Sequence, residues 1–225
     1  MGALHSDGKQ IWQTLFCKPE TVQIALATRF ALEAMACHER KQNSEALNWV
    51  NQGLAQDPEN LLLMNLQGML ALERMEYETA LACFNKLLTT QELQQGARGF
   101  LANNIAYVQA LMGGAERLAE ADKYSQEAMS LIGWLPAVKG TRGTVLLEMG
   151  RTDEAIPLLR ESMQHAENLN GKAQNACFIS IAEARRGNLD ASRKYLQEAT
   201  KLMPDCFLLE RANRELQSQA ARIAP

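Results

Sequence analysis

The sequence predicts an all-α fold, a right-handed superhelical solenoid of antiparallel helix pairs. Three observations carry this. A small-residue marker recurs with a period near 34 residues. Apolar residues around each marker follow helical spacing, i, i+3, i+4 and i+7. Proline and glycine fall where such pairs begin and turn. The marker appears as Asn43-Ser44-Glu45-Ala46, Tyr77-Glu78-Thr79-Ala80, Leu118-Ala119-Glu120-Ala121, Thr152-Asp153-Glu154-Ala155 and Leu189-Asp190-Ala191-Ser192, with gaps of 34, 41, 34 and 37 residues between the final members. A fixed period of this length is the sequence signature of stacked supersecondary units.

The elements come in this order. Residues 1–18 form an N-terminal extension, in which Ser6 or Asp7 caps a short helix carrying Ile11, Trp12, Leu15 and Phe16. Five helix pairs occupy 19–206: 19–40 with 43–56, 59–73 with 76–89, 97–112 with 115–131, 135–149 with 152–166, and 172–186 with 189–202. Twelve residues before four of the markers stand Ala34, Gly68, Gly143 and Ser180, and Ala106 takes that place in the third unit. Seven residues after them stand Gly53, Leu87, Ala128, Ser162 and Ala199. Small residues at such places let two helices approach to the short end of the interaxial range. Pro58 and Pro204 mark unit boundaries, because proline is tolerated at a first helical position and not beyond it. Gly113-Gly114, Gly150 and Gly187 sit at turns within units, where glycine supplies a left-handed helix end. The longer third unit reads as an insertion in Gly113–Leu118. Residues 207–225 form a C-terminal capping helix with a polar outer face of Glu210, Arg214, Glu215, Gln217 and Gln219, as a terminal solenoid unit requires.

Gly68…Ala80…Phe84, Gly143…Gly150…Ala155…Leu159 and Gly187…Leu196…Ala199…Pro204 resemble the signature of tetratricopeptide (TPR) repeats. Five units are placed at about 27–60, 61–94, 99–135, 136–169 and 173–206. Leu87 and Ser162 depart from the family's usual alanine, and Ser180 and Ser192 soften the last unit. The resemblance implies protein–protein interaction without catalysis.

Composition narrows the alternatives. Hydrophobic residues make up 47% of the chain, and 23 Lys+Arg against 26 Asp+Glu leave a net charge of -3. A nucleic-acid binder needs a surplus of cations, and a membrane-surface binder needs a polybasic cluster. No apolar run reaches the roughly 18 residues of a membrane span, and the N-terminus lacks the pattern of a signal peptide. The chain therefore reads as soluble and cytoplasmic, with no membrane insertion. Cys17, Cys37, Cys83, Cys177 and Cys206 lack metal or disulfide spacing and read as buried free thiols. His5, His38 and His165 form no metal pair. No catalytic or phosphate-binding motif is present, so no cofactor, no metal and no enzymatic activity are expected.

The first helix of each pair lines the concave side of such a solenoid, which suits an extended peptide or a partner helix. Helical spacing then selects Thr28, Ala31, Met35 and His38; Leu62, Asn65, Met69 and Leu72; Phe100, Asn103, Asn104 and Tyr107; Ala137, Gly140, Thr141 and Thr144; and Gln174, Cys177, Phe178 and Ile181. Of these, Met35, His38, Leu62, Asn65, Met69, Phe100, Asn103, Asn104, Tyr107 and Thr144 are the groove candidates. Asn65 and Asn103 are placed to hydrogen-bond a peptide backbone, with Met69 and Tyr107 one turn later as apolar surface. Chaperone-binding TPR proteins hold a terminal carboxylate with lysine, arginine and asparagine; the matching places here are Ala31, Met35, Leu66, Phe100 and Asn104, which offer no such clamp beyond Asn104. A second reading makes the chain a cytosolic regulatory or anchoring tail of a larger enzyme, since Ser6-Asp7-Gly8 and its amphipathic sequel are similar to the segment after the membrane part of some site-2-type metalloproteases. A third is self-association of the solenoid as a scaffold.

Overall fold

The computed structural model describes residues 19–89 and 93–223, and every regular element among them is an α-helix. The N-terminal helix expected over Ile11–Phe16 and the thiol of Cys17 lie outside the described residues. The chain divides into two compact units, Met1–Thr89 and Thr90–Pro225. The first contains α1 (Pro19–Glu39), α2 (Asn43–Gln56), α3 (Leu61–Glu73) and α4 (Tyr77–Leu88). The second contains α5 (Gln95–Met112), α6 (Ala115–Ile132), α7 (Pro136–Glu148), α8 (Thr152–His165), α9 (Leu169–Arg185), α10 (Leu189–Leu202) and α11 (Leu209–Ile223). This is the all-helical repeat architecture that the 34-residue period predicts.

The marker residues hold each pair together. Ala46, Ala80, Ala121, Ala155 and Ser192 are fully buried, and so are Ala34, Ala106 and Ser180 from the preceding small-residue position. A Cβ added at Gly68 would meet the Phe84 ring at 2.6 Å and Cys83 Cβ at 3.1 Å. One added at Gly143 would meet Leu159 Cγ at 2.7 Å and the Ala155 carbonyl oxygen at 3.1 Å. In the last pair the same contact is polar: Ser180 Oγ donates to the Ser192 carbonyl at 2.9 Å and lies 3.0 Å from Ser192 Oγ. A buried hydroxyl needs such a partner, so serine is accommodated there without an orphan group.

Four of the five pairs turn in the same way. Lys41, Met75, Gly150 and Gly187 have φ of 61°, 60°, 79° and 80°. Each turn closes with two carbonyl bonds: Gly150 N–H donates to Leu147 at 3.0 Å and Arg151 N–H to Leu146 at 2.8 Å, while Met75 N–H donates to Leu72 at 3.0 Å and Glu76 N–H to Ala71 at 2.9 Å. That is the Schellman arrangement, which satisfies the last carbonyls of a helix with one left-handed residue. Glycine takes this geometry without strain at 150 and 187, whereas Lys41 and Met75 carry the steric cost of an L side chain there.

The third pair corrects the sequence reading. The extra residues are not a loop insertion in Gly113–Leu118, because α6 already starts at Ala115 and only Gly113 and Gly114 separate it from α5. The length goes into the helices, which have 18 residues each against 13 and 12 in α3 and α4.

In the first unit Ala31, Ala34, Cys37, Ala46, Val50, Leu63, Leu66 and Leu70 form the core, and Phe30 packs on Trp49 at 5.9 Å. In the second, the largest core joins α7 to α11 through Leu147, Leu159, Phe178, Ile179 and Ile181. Polar links reinforce it. Arg185 donates to the Leu147 carbonyl at 3.0 Å and faces Glu215 at 3.5 Å, while Arg211 pairs with Glu148 at 2.6 Å. Glu215 therefore turns toward α9 and does not share the outer face expected of it. Glu210, Arg214 and Gln217 are exposed, and Gln219 is half-buried, donating to Glu215 at 3.0 Å.

The tight pair interface predicts opposite outcomes for two glycine substitutions. Gly143→Ala should lose about 1–3 kcal/mol, since buried Leu159 has nowhere to move. Gly96→Ala, in α5 with nothing within 4 Å of the new Cβ, should gain about 0.4–1 kcal/mol. Urea unfolding of both variants checks this; equal midpoints would contradict the packing described.

Candidate functional site

The second unit carries a pocket of ≈ 180 Å³ on the face shared by α5, α7 and α9. Its walls include Asn103 and Tyr107 from α5, Ala137, Gly140, Thr141 and Thr144 from α7, and Gly171, Gln174, Asn175 and Phe178 from α9, with Ser162 of α8 beneath them. No charged side chain lines it. The size suits one side chain: a cavity of about 150 Å³ holds a benzene, whereas drug-sized ligands occupy pockets of about 300 Å³ or more.

The pocket exists because two helices approach closely at a residue without a side chain. A Cβ at Gly140 would lie 2.7 Å from Ser162 Oγ and 2.9 Å from Asn175 Oδ1. Glycine at 140 and serine in place of the usual alanine at 162 thus bring α7 onto α8 while leaving polar atoms at the pocket floor. Asn175 is held by donating to the Gly171 carbonyl at 2.8 Å and to Ser162 Oγ at 3.0 Å. Tyr107 donates to Gln174 Oε1 at 3.0 Å and meets the Phe178 ring edge-on at 6.4 Å. Gln174 in turn donates to Asn170 Oδ1 at 3.0 Å. Asn168 accepts from Gly171 N–H at 2.7 Å and so caps the N-terminus of α9 at the pocket edge.

Three polar groups in this wall lack partners. Asn103 Oδ1 is buried without a hydrogen bond. Thr141 is 6% exposed, and among the described residues its hydroxyl has no partner. Asn175 spends its amide hydrogens and leaves Oδ1 unpaired. Three large apolar side chains close in sequence to lining residues are exposed: Phe100, one turn before Asn103, is 53% exposed; Trp134, ahead of Ala137, is 71% exposed; and Leu169, just ahead of Gly171, is 59% exposed.

The sequence candidates divide accordingly. Asn103, Tyr107 and Thr144 line the pocket, but Thr144 is buried and its hydroxyl is spent on the Gly140 carbonyl at 3.0 Å. Asn104 accepts from Asn103 Nδ2 at 3.4 Å. Phe100 does not line the pocket and is exposed. Met35, His38, Leu62, Asn65 and Met69 belong to the first unit. There Met35 and Leu62 are exposed, Asn65 donates to the Met69 sulfur at 3.6 Å, and His38 faces Glu73 at 3.6 Å with its Nδ1 buried and unpaired. Of the wider concave set, Ala31, Cys177 and Ile181 are fully buried and belong to the core. Helical spacing alone misses Ser162, Gly171 and Asn175. The signal for Ser162 was its departure from alanine at a packing position.

Among the described residues, no three His, Cys, Asp or Glu side chains gather to hold a metal. Cys37, Cys83, Cys177 and Cys206 are free and buried. A hydrogen bond with Cys206, and then burial, push the Cys177 thiol up from its ordinary value, which keeps it protonated near neutral pH.

The tetratricopeptide-repeat family model matches residues 135–205, a stretch that includes α7 to α10. No curated protein matches the chain in sequence. Among solved structures, a thermophilic TPR protein of Thermus thermophilus is similar over 85% of this chain and 99% of its own, with TM-score 0.63 and 15% identity. The APC/C hetero-tetramer Cut9–Hcn1 is similar over 95% of this chain and 42% of that one, with TM-score 0.65 and 13% identity. Pseudomonas aeruginosa PilF is similar over 95% and 93%, with TM-score 0.56 and 17% identity. These likenesses are of fold. No helix among the described residues is long and apolar enough to cross a membrane.

The pocket's hydrogen bonds separate structural from free groups. Asn175→Ala should cost about 1–3 kcal/mol, because it removes the donor to the buried Ser162 hydroxyl. Thr141→Val should leave the stability within about 0.5 kcal/mol, since the hydroxyl has no protein partner to lose. Thermal unfolding followed by circular dichroism measures both, and a large loss in Thr141→Val would place a bond where none is described.

Proposed function

We propose that the chain is a non-catalytic protein-interaction module that takes an extended segment of a partner across α5, α7 and α9 of the second unit. The observation that carries this reading is the side-chain-sized, uncharged pocket with unpaired polar groups. Buried polar groups are normally satisfied, and Asn103 Oδ1 in this wall is not. The pocket is too small for a cofactor, and its hydroxyls have no His, Asp, Glu, Lys or Arg beside them in the lining to activate them. A protruding side chain would fill it while the partner backbone lies on the rim.

Ala137 is exposed at the pocket mouth, so Ala137→Trp blocks the opening without entering the core. A partner captured from the native host by the parent chain should be lost with Ala137→Trp and retained with Gln197→Trp, an equally bulky change on the exposed face of α10. With no charge in the pocket, affinity should change less than about threefold between low and high salt. Equal capture by the parent and Ala137→Trp, or steep salt dependence, would move the binding site elsewhere.

A further inference from the structure

We infer that the α5/α7/α9 pocket selects a carboxamide side chain, that of glutamine or asparagine, as the anchor of the bound segment; this rests on the interaction reading above and adds the chemistry of what is recognised. The inference comes from an inventory of donors and acceptors in the wall. Asn175 spends both amide hydrogens, on the Gly171 carbonyl and on Ser162 Oγ. Gln174 Nε2 is engaged by Asn170, and Thr144 donates to the Gly140 carbonyl. What remains is two amide oxygens without a protein partner, Asn103 Oδ1 and Asn175 Oδ1, beside groups able to donate: the Thr141 and Ser162 hydroxyls and the second amide hydrogens of Asn103 and Gln174. Asn103 Oδ1 is already withdrawn from solvent, and the Thr141 and Asn175 side chains are more than nine-tenths buried.

Each class of side chain meets this wall differently. A carboxylate would leave both amide oxygens without a donor and would be desolvated with no cation in the lining to balance it. An ammonium would be desolvated with no carboxylate in the lining to balance it. An aliphatic chain would fill the volume and strand both amide oxygens. A hydroxyl supplies one donor. A carboxamide brings two N–H donors for the two oxygens and a carbonyl to accept from Thr141, and it carries no charge. A site built to hydrogen-bond a group rejects the analogue lacking it, because its own polar atoms are left unpaired. The stem of the incoming side chain then lies against Phe178 and Ala137, and the neighbouring backbone reaches the rim.

The test uses the full chain, isotope-labelled, titrated with acetyl-Ala-Ala-Gln-Ala-Ala-amide and its Glu and Leu counterparts. Glutamate has nearly the shape of glutamine, so the comparison isolates the donor group. The Gln peptide should shift the side-chain amide signals of Asn103 and Asn175 and bind at least about tenfold tighter than either counterpart. Thr141→Val should narrow that preference to about threefold or less, and Thr141→Ser, which keeps the hydroxyl, should restore it. If the Leu or Glu peptide shifts the same signals as strongly as the Gln peptide, the groove reading stands and the carboxamide selectivity is overturned. If no peptide moves them at millimolar concentration, both fall.

Discussion

Every helix pair depends on the close approach of its two helices at small residues. Ala34 and Ala46, Gly68 and Ala80, Ala106 and Ala121, Gly143 and Ala155, and Ser180 and Ser192 stand at the paired positions, and all are buried. A methyl group added at Gly68 or Gly143 has no room. Interiors are packed as densely as organic crystals, so a clash of this kind is relieved only by parting the helices. Larger apolar residues flank these points, as Phe84 and Leu159 do, and supply the area that stabilises the pair. The small residues set the distance, and the large ones set the energy.

The pocket is a consequence of the same constraint. At Gly140 the first helix of the fourth pair again approaches the second without a side chain, but the facing residue is Ser162 and not alanine. A hydroxyl at that point needs a partner, and Asn175 of the next pair supplies it. The amide so held turns its free oxygen toward the space left by Gly140. One departure from the repeat pattern thus converts an apolar packing site into a polar recess, and Asn103 and Thr141 extend it. The recess is stabilised by the hydrogen bonds of Asn175 with Ser162 and Gly171 and of Tyr107 with Gln174, while Asn103 Oδ1 in its wall has no hydrogen-bond partner.

The periodicity of small residues was legible in the sequence because it reflects a local steric demand, repeated with little variation. The turns at Gly150 and Gly187 were legible for the same reason. Those at Lys41 and Met75 were not, since the structure imposes left-handed geometry on residues that do not advertise it. The third pair was misjudged because a 41-residue gap does not say whether extra residues lengthen helices or form a loop; Gly113-Gly114 is the whole connection. For the site, Asn103 and Tyr107 followed from the helical face. Ser162 sits on a second helix, outside any search confined to first helices. Thr144 shares its face with Thr141, yet its hydroxyl bonds backwards to Gly140, and spacing does not distinguish the two.

The central claim is that a partner seats on the α5, α7 and α9 face of the second unit. Amide hydrogen exchange of the full chain, free and with the captured partner, tests it most directly. The account predicts slowed exchange in the first halves of α5, α7 and α9, and unchanged exchange in α6, α8 and α10. Protection confined to α6, α8 and α10, or to the first unit, would contradict it.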